Sequence, residues 1–156
     1  MQRFSRVRSD VTVKTAAFTL QKRRNCGLSV RSGRPKLGSM KLLLENLPPS
    51  LRDQREALAR CLEAMDRALP LKAVYLFGSH ARGEARPDSD VDLCLVAEGA
   101  ERQLEAAQRC RAAISEIRPK PAFTLVPIAP RRLDEKRTSG DDFFKTVLQE
   151  GVLLAA

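Results

Sequence analysis

Phe77-Gly-Ser-His-Ala-Arg-Gly-Glu-Ala-Arg-Pro-Asp-Ser-Asp-Val-Asp-Leu93 is the stretch from which the rest of the chain can be read. It begins where an apolar run, Leu71 to Phe77, stops at Gly78-Ser79. The length and flanks of that run predict a buried strand followed by a short helical turn. Glycine at 78 permits close backbone approach. The exposed amides of the turn, with the Ser79 hydroxyl, form a cradle suited to phosphate oxygens. Pro87-Asp88-Ser89 turns the chain, with Asp88 read as a turn residue, and a second strand follows over Val91–Val96. Asp90 and Asp92 stand at i and i+2 at its start, so both carboxylates project from one face. Two carboxylates so placed repel each other unless a cation lies between them, and hard oxygen donors suit Mg²⁺.

Two rival motifs fail. Gly78 and Gly83 have the spacing of a phosphate-binding P-loop, but Glu84 and Ala85 stand where Lys and Ser or Thr are required. Asp88, Asp90 and Asp92 begin like a calcium-binding EF-hand loop, but Leu93 and Gly99 occupy the positions of the required Gly and Glu. A phosphate cradle beside a Mg²⁺ clamp is equipment for phosphoryl or nucleotidyl transfer.

Reading outward, Pro48-Pro49-Ser50 ends a linker, and Ser50 with Asp53 makes an S-x-x-D helix start. Leu51, Leu58, Cys61, Leu62, Met65 and Leu69 recur at helical spacing. A helix is expected over 101–117 with Leu104, Ala107, Cys110, Ala113 or Ile114, and Ile117 on its apolar side. A third strand follows from Pro121 to Ile128, its prolines marking an edge. The charges of Arg131, Arg132, Lys136 and Arg137, interleaved with Asp134 and Glu135, read as a solvated helix face. A last helix over 141–150 and a short strand over Val152–Leu154 complete an α+β domain: a small mixed β-sheet packed by helices.

The chain has 156 residues and a formal charge of +9. Residues 1–39 hold ten of the 28 Lys and Arg residues and one acid, Asp10, so 10 − 1 = +9 and residues 40–156 are neutral. A nucleic-acid-binding domain is therefore disfavoured, and a basic arm is the most the charge supports. Residues 1–39, with one candidate element over 11–20, are read as a disordered N-terminal extension excluded from the fold; residues 40–156 are the domain. A nucleic-acid or partner-binding arm, a transit peptide and an upstream extension foreign to the functional protein are the three readings, and composition favours the last. No apolar run is long enough for a spanning helix. Four cysteines without a C-x-x-C pair, and one histidine, argue against zinc. Cys94, inside an apolar run, suits a reduced thiol in a cytoplasmic protein.

Gly78-Ser79, ten residues, then Asp90-Val-Asp92 resembles the signature of minimal nucleotidyltransferases of the DNA polymerase β-like superfamily. The similarity extends through Val74-Tyr-Leu-Phe-Gly-Ser-His-Ala-Arg-Gly83 and Ser89-Asp-Val-Asp-Leu93, and into Phe143 to Leu154. The resemblance implies the polymerase β-like fold, with Asp90 and Asp92 as catalytic residues and ligands of Mg²⁺ on a nucleoside triphosphate, ATP above all. It implies that Gly78 and Ser79 hold the phosphates, with Arg82 and Ser89 in the nucleotide-binding set. Arg82 has a second reading, a brace to Glu84 or Asp90. His80 is read as a surface side chain. Small prokaryotic relatives act as antitoxins to a partner of the HEPN type, some by adenylylating a tyrosine. The resemblance also calls for a third carboxylate, and its alignment puts Thr124 there; no Asp or Glu occurs between Glu116 and Asp134. Two readings follow: transfer of NMP to a protein hydroxyl, or an impaired relative that acts by binding its partner.

Overall fold

β2 (Val91–Ala97) is the middle of the molecule, and its composition explains why. Val91, Leu93, Cys94, Leu95, Val96 and Ala97 are all buried, on both faces of the strand. A strand apolar on both sides needs a layer of structure above and below it. A computed structural model describes residues 40–156 and supplies both layers. The basic segment 1–39 and the candidate element at 11–20 lie outside the described residues.

The elements run α1 (Arg55–Ala68), β1 (Leu71–Phe77), α2 (Gly78–Arg82), β2, α3 (Gln103–Ala113), β3 (Phe123–Ile128), α4 (Pro130–Thr138), α5 (Asp142–Glu150) and β4 (Val152–Ala155). The sheet order is β3-β2-β1-β4. β1 is antiparallel to β2 and to β4, whereas β2 and β3 are parallel and joined through α3. This is the mixed sheet of the expected α+β fold.

One face carries Leu76, Leu93 and Leu125 in a single row, packed with Leu58, Leu62, Met65 and Cys110 of α1 and α3. The other face carries Tyr75, Cys94 and Val126, packed with Phe144 and Val147 of α5. Side chains alternate along each strand, so the row Phe77–Asp92–Thr124 lies on this second face, with Phe77 at the margin of its apolar cluster and Asp92 and Thr124 outside it. The sheet therefore places polar residues at one end of a face whose centre is closed by α5.

Several boundaries differ from the sequence expectation for local reasons. Ser50 does not cap a helix: Pro49–Gln54 is a 3₁₀ helix, α1 begins at Arg55, and the Ser50 hydroxyl meets His80 instead. Part of the expected linker is ordered by pairing, since the Lys41 and Leu43 amides donate to the Ala156 and Leu154 carbonyls along β4. Leu104 is 69% exposed, because α3 turns its Ala106–Cys110–Ile114 side inward and Leu104 lies off that stripe. Asp141 caps α5 by accepting from the Phe144 amide, and β3 is a sheet edge as its prolines suggested. On α4, Arg131 and Arg132 pair with Glu135, and Arg137 pairs with Asp134, all solvated. No helix among the described residues is long and apolar enough to cross a membrane.

Leu93 and Leu104 make a matched test. Leu93→Ala empties a site with no solvent exposure between the sheet and the α1–α3 layer. It should lower unfolding free energy by about 2–5 kcal/mol in urea titration. Leu104→Ala should change it by less than about 0.5 kcal/mol. Equal losses would show that α3 packs through a different face.

Candidate functional site

Gly78 is the pivot of the site. β1 pairs with β2 as far as Phe77 opposite Asp92, and the chain then turns directly over the Asp92 carboxylate. Gly78 has φ +73°, and a Cβ there would stand 2.1 Å from Asp92 Oδ2. Both the left-handed backbone and the contact exclude any side chain. The expectation of close backbone approach at 78 thus has a specific object: the carboxylate of Asp92. Ser79 follows, half-buried, in the first turn of α2. Gly83 ends that helix at φ +74°, and the Glu84 amide returns to the Ser79 carbonyl at 2.9 Å.

Asp90 is exposed and Asp92 is half-buried at the start of β2. Thr124 is the register partner of Asp92 on the parallel neighbour β3, so the two share a face. Thr124 therefore stands beside Asp92 on the same side of the sheet. Burial pushes the Asp92 carboxyl above its ordinary value; the Thr124 hydroxyl pulls it down, Asp90 raises it again, and His80 and Arg82 lower it. No group of three or more acidic, His or Cys side chains suited to a metal occurs among the described residues.

His80 corrects the sequence reading. It is only 4% exposed, not a surface side chain. Its Nε2 donates to the Ser89 carbonyl at 3.3 Å, and its Nδ1 lies 3.0 Å from the Ser50 hydroxyl. A carbonyl can only accept, so Nε2 carries the proton, and in the neutral ring Nδ1 accepts from Ser50. His80 thereby ties α2 to the residue immediately before Asp90. Periodicity had no means of finding this: a one-turn helix is too short to show an apolar side, and Ser50 is remote in sequence.

The remaining candidates divide. Ser89 closes its own turn: its hydroxyl accepts from the Arg86 amide at 2.9 Å, and its amide donates to the Arg86 carbonyl at 3.0 Å. Arg82 braces Glu84, its Nε donating to Oε2 at 2.9 Å. Gly78, Ser79, Asp90 and Asp92 are brought together at one end of the sheet; Arg82 lies beside them on α2.

The donor set fits a Mg²⁺ ion shared with a triphosphate. Such an ion takes one or two carboxylates, substrate phosphates and water rather than a closed protein cage. Asp90 and Asp92 could supply the carboxylates.

The raised carboxyl of Asp92 has a consequence for stability. Its protonated form is favoured in the fold, so stability falls as pH rises through the window between its unfolded and folded values. Above that window the ionised group is a net penalty. Asp92→Asn keeps an oxygen facing Thr124 and removes the charge. In thermal melts the variant should be more stable than wild type at neutral pH, with the difference vanishing below the carboxylate range. Equal stability at neutral pH would show that neighbouring groups already compensate the charge.

Among known families, the nucleotidyltransferase domain matches the chain over residues 58–148. No curated protein matches the chain. The matched span runs from α1 through α5 and contains Gly78, Ser79, Asp90, Asp92 and Thr124. With more than half of its length covered, and with Gly78 closed over Asp92, this chain belongs to the nucleotidyltransferase domain family.

Proposed function

We propose that this chain binds a Mg²⁺-nucleoside triphosphate, ATP in the first instance, and transfers its nucleoside monophosphate slowly to a hydroxyl of a partner protein. The observation that carries the reading is the row Phe77–Asp92–Thr124 with Gly78 seated on Asp92. In this reaction the acceptor oxygen forms a bond to the α-phosphorus, the bond to the pyrophosphate oxygen breaks, and the hydroxyl proton must leave. Bound Mg²⁺ supplies charge neutralisation for the phosphates. Asp90 and Asp92 hold the metal and orient the α-phosphate. Gly78 and Ser79 offer backbone amides and a hydroxyl to the outer phosphates.

Thr124 is the departure. It stands where the family resemblance calls for a carboxylate, and its hydroxyl neither carries charge for a metal nor accepts a proton at neutral pH. The second reading, a relative that acts chiefly by binding its partner, rests on this residue. The partner class we propose is the helical HEPN type, with this chain as antitoxin, on the strength of the Gly78-to-Asp92 resemblance. Three cysteines, Cys61, Cys94 and Cys110, are free and buried. This suits a reducing compartment, and the cytoplasm is the proposed location.

Two experiments test the reading. Calorimetry with ATP should show binding that needs Mg²⁺ and is lost in Asp90→Asn/Asp92→Asn. Equal affinity with and without Mg²⁺, in both proteins, would refute metal-assisted nucleotide binding. For catalysis, labelled ATP with Mg²⁺ and a HEPN-type partner encoded beside this chain should label the partner slowly. Thr124→Asp should raise the rate by about 10²–10⁴, the usual worth of a general base. Fast transfer by wild type, indifferent to Thr124, would assign the base elsewhere.

A further inference from the structure

A cleft of about 240 Å³ opens beside Gly78, between α2 and the exposed side of α5. Its lining is mostly apolar and includes Phe77, Ala81, Phe143 and Val147, with Arg82 and Glu150 among its polar groups. Phe143, Thr146, Val147 and Glu150 recur at helical spacing, so one side of α5 builds one wall. We infer that this cleft holds the purine base of the nucleotide, with Phe143 as the aromatic surface that contacts it. The inference rests on the reading of Gly78 and Ser79 as the phosphate cradle and adds the residues that would read the base.

Four observations support this occupant. Gly78 both lines the cleft and turns over Asp92, so cleft and carboxylates adjoin. Phe143 is 44% exposed, an unusual position for a large aromatic, and is held edge-on by Phe77 and Phe144 at centroid distances of 5.4 and 5.0 Å. Those contacts fix the ring in place, and aromatic side chains are the standard platforms for bases. The cleft is smaller than the roughly 300–1,000 Å³ of sites for drug-sized ligands, which suits a single ring system whose phosphates lie outside. The Thr146 hydroxyl and the Glu150 carboxylate accept hydrogen bonds, as a purine's exocyclic amine requires. A protein interface would instead need a broad surface, of about 800 Å² on each partner.

The test compares Mg²⁺-ATP with Mg²⁺-tripolyphosphate, which has the phosphates and no base. By calorimetry, Phe143→Ala should weaken ATP about tenfold or more and leave tripolyphosphate unchanged. The chain has no tryptophan, so Phe143→Trp introduces a lone reporter at the cleft and keeps an aromatic surface. Its emission should be quenched by ATP and not by tripolyphosphate. If wild type binds both ligands, Phe143→Ala weakens neither selectively, and the reporter does not distinguish them, the base lies elsewhere and the cleft is left to a protein partner. In that case the phosphate cradle stands. If wild type binds neither ligand, the phosphate cradle fails and this inference fails with it. Should Phe143→Ala not fold, the reporter variant alone decides between these outcomes.

Discussion

The contact between the Gly78 backbone and the Asp92 carboxylate organises this protein. It joins the end of β1 to the start of β2 at closer range than any residue with a side chain allows. α2 can start only where the chain leaves Gly78, and Thr124 faces Asp92 only because β3 lies in register on the far side of β2. The two sheet faces have different work. The α1–α3 face buries a continuous set of Leu side chains and holds the sheet together. The α5 face is closed in its middle by Phe144 and Val147 and left polar at one end.

Packing and chemistry are opposed at Asp92. Burial raises its carboxyl, and the neighbouring Asp90 adds to that, so the ionised form of Asp92 is disfavoured in the fold. A stability-optimised protein would carry an amide at 92. Paired carboxylates become more favourable with a cation between them, which is the role proposed for Mg²⁺ above. His80 works in the other direction. Its buried ring, bonded to Ser50 on one side and to Ser89 on the other, holds the turn that leads into Asp90. Thr124 is the one position in the row at variance with the pattern of the resemblance. A hydroxyl there carries no charge, and the transfer proposed above is slow for that reason.

The sequence by itself determined the α+β class, the order of the strands along the chain and the Gly78–Asp92 signature, because these rest on local rules. Buried strands show as apolar runs, carboxylates at i and i+2 share a face of a strand, and a glycine before a helical turn marks a close approach. The family resemblance pointed to Thr124, strand parity allowed Ala122, Thr124 and Val126 alike, and the pairing of β2 with β3 set Thr124 beside Asp92. Only the tertiary structure decided what depends on neighbours remote in the chain. His80 is buried because Ser50 and the Ser89 carbonyl receive its two nitrogens. Ser50 pairs with that ring and does not cap a helix, and Leu104 is exposed because of how α3 is rotated on the sheet. Phe143 stands open beside Gly78 because α5 crosses the end of β1, and helical periodicity, which places a residue on a side of its own helix, carries no information about what that side will meet.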